Sequence, residues 1–81
     1  MKRKEILLCM IELLEIRGET ASICPSEVAR KCFPDTWRGQ MEEVRSVASD
    51  LAREGRASIL QKGIEISPDN WKGPIRIRIK K

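Results

Sequence analysis

An α+β fold, three helices followed by a C-terminal β-hairpin, is what this sequence predicts, and three observations carry the prediction. Two stretches, 2–17 and 36–54, repeat apolar residues at helical spacing. Residues 74–81 read Pro-Ile-Arg-Ile-Arg-Ile-Lys-Lys, so Ile75, Ile77 and Ile79 alternate strictly with Arg76, Arg78 and Lys80. Side chains alternate sides along a strand, which gives this ribbon one oily face and one cationic face. Gly18, Pro25, Pro34 and Gly55 fall at the joints between the helical segments. A chain of 81 residues is expected to form a single domain over 1–81.

The first helix is expected from about Lys2 to Arg17. Ile6, Leu7, Met10, Ile11 and Leu14 share one face, Cys9, Leu13 and Ile16 add an apolar flank, and Glu5, Glu12 and Glu15 mark the wet side. Gly18 suits the C-terminal cap. So broad an apolar stripe needs cover, from the hairpin or from a partner, and a homodimer through this helix would supply it. Ser22-Ile23-Cys24 reads as a very short strand. Pro25-Ser26-Glu27 opens the second helix, with proline at its first position and a carboxylate at its positive end. Val28, Ala29, Cys32 and Phe33 form its buried side.

Pro34-Asp35-Thr36 breaks that helix, and Asp35 or Thr36 can cap the next. The third helix is expected over Thr36–Glu54, with Met41, Val44, Ala48 and Leu51 on one face and Trp37 extending it. Arg38, Glu42, Arg45, Ser49 and Arg53 line the opposite side. A strand follows over Ala57–Lys62, and then a long loop from Gly63 to Gly73 whose turn formers are Pro68, Asp69, Asn70 and Gly73. Ile64 and Ile66 within it imply that the loop packs down or that strand pairing continues into it. Pro74 cannot donate a ladder hydrogen bond, so it sits where the last strand, Ile75–Lys80, begins. The order α-(β)-α-α-β-β is that of a winged helix-turn-helix.

Composition narrows the function classes. Charged residues make up 35% of the chain and hydrophobic residues 41%, ordinary for a soluble domain. The apolar run Ile6–Ile11 is far too short for a membrane span, which needs roughly 20 residues. Met1-Lys2-Arg3-Lys4 resembles the start of a secretion signal, but Glu12 and Glu15 follow within the same helical pattern and no small-residue cleavage site appears. A cytoplasmic location is expected. The cysteines, at 9, 24 and 32, are odd in number and form no CxxC pair, and histidine is absent. No metal site is expected from such spacing, and Cys9 and Cys32 read as buried free thiols. With no histidine, tyrosine or Gly-rich phosphate loop, no enzyme activity, cofactor or small-molecule substrate is expected.

Charge points to a polyanion. The chain carries a net +4, and residues 57–81, with six Lys/Arg and two Asp/Glu, account for all of it. In a helix-turn-helix the second helix of the pair meets base edges in the major groove, here through Arg38, Gln40, Arg45 and Ser49. The helix is itself neutral, and the alternative is a solvated face supported by pairs such as Arg38–Glu42. The wing would meet phosphates through Lys62, Lys72, Arg76, Arg78 and Lys80. Charged edge strands also block sheet-to-sheet aggregation, which is the plainer explanation of the same residues. With five wing cations engaged, the log–log salt slope of DNA binding would be about −4 to −5. Trp71 either stacks on a base or covers the hairpin's own apolar side. The helix start at Pro25 could touch a phosphate, but Glu27 favours capping.

One resemblance covers nearly the whole chain. Ile23-Cys24-Pro25-Ser26-Glu27-Val28-Ala29-Arg30, Pro34-Asp35-Thr36-Trp37-Arg38, Met41-Glu42-Glu43-Val44-Arg45 and Leu51-Ala52-Arg53-Glu54-Gly55-Arg56 carry it, together with Gln61-Lys62-Gly63 and Gly73-Pro74-Ile75-Arg76-Ile77-Arg78. In these the chain resembles a bacterial domain-of-unknown-function family of small winged-helix-like proteins. The resemblance implies the fold and no established activity. The expectation is thus a nucleic-acid-binding protein, with duplex DNA the first choice and transcriptional regulation its setting. The alternatives are a protein-interaction or dimerisation module, and a single-strand binder using the wing and Trp71.

Overall fold

The computed structural model describes residues 2–69 and 71–80. Asn70, expected as a turn former, and Met1 and Lys81, the outer ends of two segments read above, lie outside the described residues. Three helices pack against a four-stranded antiparallel sheet: α1 Lys2–Arg17, β1 Ser22–Ile23, α2 Pro25–Cys32, α3 Met41–Arg53, β2 Ala57–Gln61, β3 Ile64–Ile66 and β4 Arg76–Ile79. The strand order is β1-β4-β2-β3.

Each helix end has a local cause. Gly18 takes a left-handed φ of +80° and its N–H donates to the Leu14 carbonyl at 3.0 Å, ending α1. Pro25 opens α2, and the Cys24 N–H donates to Glu27 Oε1 at 3.3 Å, so Glu27 caps. Gly55 ends α3 with φ +77°. Its N–H reaches the Ala52 carbonyl and that of Arg56 reaches Leu51, both at 3.0 Å, the two bonds of a Schellman motif.

The start of the third helix differs from the expectation. Trp37–Gln40 winds as a separate 3₁₀ turn, and the α-helix begins only at Met41. Gly39 sits in that turn, donating to the Thr36 carbonyl at 3.0 Å, and glycine is a weak helix former.

The sheet is larger than the expected hairpin. β2 and β4 do pair antiparallel, with Ile59 opposite Ile77. Between them in sequence, however, β2 first turns tightly into β3 through Lys62 and Gly63, at φ +53° and +80°. Two positive φ values make the type I′ geometry that suits a two-residue hairpin. The loop expected over 63–73 is thereby shortened. β4 then returns on the other side of β2 and also pairs with β1, Ile77 opposite Ile23. The sheet is therefore not wholly C-terminal.

The core lies between the helices and one sheet face. Ile6 and Met10 of α1, Val28 of α2 and Val44 of α3 meet Ile23 and Ile77 with no exposed surface. The broad α1 stripe is mostly absorbed there, since Leu7, Cys9 and Leu13 pack half-buried against the core. Leu8 and Ile16 stay exposed, among the equally exposed Glu5, Glu12 and Glu15. No helix among the described residues is long and apolar enough to cross a membrane.

Candidate nucleic-acid interface

The alternation in β4 fixes which face of the sheet meets water. Ile75 and Ile77 are buried and Ile79 packs against the core. Arg76, Arg78 and Lys80, one residue out of step, therefore occupy the outer face. Leu60 and Ser58 of β2 share that face, opposite Arg76 and Arg78, yet both are buried. Arginine stems can lie across such short neighbours while their heads stay wet.

The five wing cations are held differently. Arg76 Nε donates to Ser22 Oγ at 2.7 Å and its Nη2 to the Ser22 carbonyl at 2.9 Å. A guanidinium has five N–H donors, so three remain. Arg78 is half-buried between Ser22 and Ser58 in the strand register, with no carboxylate bonded to it among the described residues. Lys80 Nζ lies 3.3 Å from Glu65 Oε2. Lys62 is exposed at the β2–β3 turn, and Lys72 is exposed in the loop before β4. The backbone beside Lys72 is anchored, because Gln61 Nε2 donates to the carbonyls of Lys72 and Pro74.

That loop folds back on α3. Trp71 Nε1 donates to Ser49 Oγ at 3.1 Å, and the Arg45 guanidinium lies 5.8 Å from the Trp71 ring centre. Arg53 Nε donates to Asp69 Oδ1 at 2.7 Å, and this bond raises the Arg53 pKa further. Arg45, Ser49 and Arg53 are spaced by four along the helix, so the loop contacts one flank of it at three successive turns. The other flank is held from α1, where Arg3 reaches Glu43, Asp50 and, at 3.0 Å, Ser46 Oγ.

The four residues expected to face bases therefore stand in different settings. Ser49 is 7% exposed and its hydroxyl serves Trp71, which turns it from a solvent group into an anchor for the loop. Arg45 is half-buried against Trp71. Arg38 is exposed on the 3₁₀ turn, 4.9 Å from the Trp37 ring centre. Gln40 is half-buried at the N-terminus of α3. Gln40 Oε1 and Arg45 Nε are buried with no hydrogen-bond partner among the described residues.

Sequence reasoning missed Arg30. Its guanidinium lies 4.3 Å from the Trp37 ring centre, so two arginines share one indole at the α2–α3 junction. A tryptophan with arginines seven residues before and one after was the available signal. It also missed the Arg3 clasp and the Asp69 tie, neither of which has a local signature.

At the helix 2 start, Glu27 is bonded to Arg17 and to the Cys24 N–H, so a carboxylate occupies the helix end. Cys9 and Cys32 are half-buried rather than fully buried. Burial and the neighbouring Cys9 thiol push the Cys32 thiol up from 9.0 to about 12. No group of three or more possible metal ligands comes together among the described residues.

The chain belongs to the family described as a protein of unknown function, DUF3253, whose model matches residues 3–80. No curated protein matches it.

Proposed function

We propose that this family member is a winged-helix protein that binds duplex DNA, chiefly through phosphate contacts from the outer sheet face and the loop before β4. The winged-helix reading is supported by the helix pair α2–α3 and by the early strand β1 pairing with the late strand β4. One observation carries the binding reading. Lys62, Lys72, Arg76 and Arg78 lie in one sheet-and-loop unit, with no ion pair to a carboxylate among the described residues, while Ile77, between the last two, is turned to the core. Cations spaced along a rigid strand suit a phosphate backbone.

The helix contributes less than the sheet. Arg38 and Arg45 remain as cations near the N-terminal end of α3, and the unpartnered Gln40 Oε1 and Arg45 Nε leave hydrogen-bonding capacity there. Ser49 plays no part in contacting bases. Sequence preference should accordingly be weak. Trp71, held by its N–H and flanked by Arg45, is poorly placed to stack on a single strand. No catalytic role belongs to this reading.

The test is the salt dependence of binding to a random duplex. With Lys80 engaged by Glu65, four free cations should give a log–log slope of about −3 to −4. Affinity that stays constant between 50 and 200 mM salt would sink the proposal. A second reading, a protein-interaction module, rests on exposed Leu8 and Ile16 of α1. Sedimentation at two concentrations tests its homodimer form, which a clean monomer at the higher one removes.

A further inference from the structure

Beside the hairpin turn, the outer sheet face holds a cavity of about 340 Å³, lined by Ser22, Leu60, Lys62, Pro74, Ile75 and Arg76 among others. That volume falls within the roughly 300–1,000 Å³ of small-molecule sites. Three of those residues, Leu60, Pro74 and Ile75, are apolar. Its charge sets it apart from four other hollows on the molecule. Lys62 and Arg76 line it and, among the described residues, no carboxylate does. The hollow where α1 meets β4 includes Glu15, the one at Arg3 includes Asp50 and Glu54, the one beneath Trp71 includes Asp69, and the one at Gly39 includes Glu42 and Glu43. The acid nearest in register, Glu65 opposite Leu60, is bonded to Lys80.

We propose that this cavity binds a small amphiphilic organic anion, an aromatic or branched aliphatic carboxylate, with its hydrocarbon part against Leu60 and Pro74 and its carboxylate on Arg76 and Lys62. The Arg76 fork is pre-oriented. Ser22 takes two of its N–H groups from one side, and a carboxylate can accept two of the three that remain. An apolar floor with a few convergent polar groups is the general form of a small-ligand site. Because Lys62 and Arg76 also belong to the proposed phosphate surface, an occupied cavity competes with DNA. In that respect the inference deepens the nucleic-acid reading, although binding of the anion itself does not depend on it.

The experiment is an NMR titration of the full chain with 1-naphthoate, matched by its neutral analogue 1-naphthalenemethanol. Saturable one-to-one shifts confined to the amides of residues 60–63, 75 and 76 are expected. Binding should weaken at least tenfold for the alcohol, and similarly in Arg76→Gln. Ser22→Ala should weaken it less, and it serves as the second variant if Arg76→Gln does not fold. Equal affinity for acid and alcohol overturns the proposal, as do shifts centred elsewhere or none at millimolar naphthoate. Adding naphthoate to a DNA complex separates the two readings. Release of DNA supports both. Naphthoate binding to a protein that binds no DNA leaves the cavity standing and removes the phosphate surface.

Discussion

The third helix and the outer face of the sheet carry similar side chains under opposite constraints. On α3, Arg45, Ser49 and Arg53 are engaged by Trp71 and Asp69, while Glu43, Ser46 and Asp50 are engaged by Arg3. On the sheet, Arg76 is steadied by a serine and Arg78 meets no acid among the described residues. The charges of the helix are mostly engaged by other parts of the molecule, whereas on the sheet Lys80 is paired with Glu65 and Arg76 and Arg78 meet no carboxylate among the described residues. Counting arginines along a sequence does not make that distinction. What decides it is whether an acid or an indole from elsewhere in the chain reaches them first.

The largest test of the contrast is a pair of double variants. Arg76→Ala/Arg78→Ala should lower duplex affinity by about 10–100-fold and reduce the salt slope by about 2. Arg38→Ala/Arg45→Ala should cost less. Fluorescence anisotropy across a salt series measures both, and the opposite ranking would return α3 to the role of principal contact.

Trp71→Ala sharpens the comparison from the helix side. Losing the hydrogen bond to Ser49 and the buried part of the indole should cost about 1–3 kcal/mol in chemical denaturation. The freed loop would expose Arg45 and Ser49. A gain in sequence preference alongside the lost stability would show that the loop masks a reading face.

Lys62→Asn separates stability from binding at one residue. Lys62 holds φ +53°, a left-handed conformation that costs a non-glycine residue roughly 1–2 kcal/mol and that asparagine tolerates better. The variant should gain about 0.5–1 kcal/mol in thermal unfolding and lose about one unit of salt slope. An unchanged slope would remove Lys62 from the phosphate surface.

The last effect is alkaline and lies away from both regions. The folded state holds the Cys32 proton more tightly than the unfolded chain does, its thiol being raised from 9.0 to about 12. That contribution to stability is complete below about pH 9 and is lost as pH rises toward 12. Under reducing conditions, Cys32→Ala should show a shallower fall in Tm between pH 8 and 10.5 than the parent chain. Parallel curves would mean that burial leaves the thiol near its ordinary value.

Local pattern was legible and long-range docking was not. The i, i+4, i+8 set Ile6, Met10 and Leu14, closed by Gly18, locates α1 at Lys2–Arg17, and strict alternation alone places Ile77 inside and Arg76 outside. The capping use of Glu27 is also readable, because its partner lies three residues away. β3 was harder to see, since three residues after a turn carry too little alternation to stand apart from a loop that packs down. The 3₁₀ turn was missed because Trp37 and Met41 continue the helical spacing across Gly39. Ser49 shares the spacing of the arginines around it, and only Trp71, 22 residues later, draws it out of solvent. The sheet half of the candidate site could thus be read from sequence order, whereas the helix half depended on contacts that periodicity does not encode.

The central position of β4 governs the order in which the chain can fold. β2 and β3 are neighbours and can zip up by themselves, but β1 has no partner other than β4 among the described residues. Ser22 and Arg76 must meet across 54 positions, and closing so long a loop sets an entropic barrier before any native contact compensates it. The helices and the β2–β3 ribbon should therefore assemble first. β4 should then complete the sheet, joining β1 to β2.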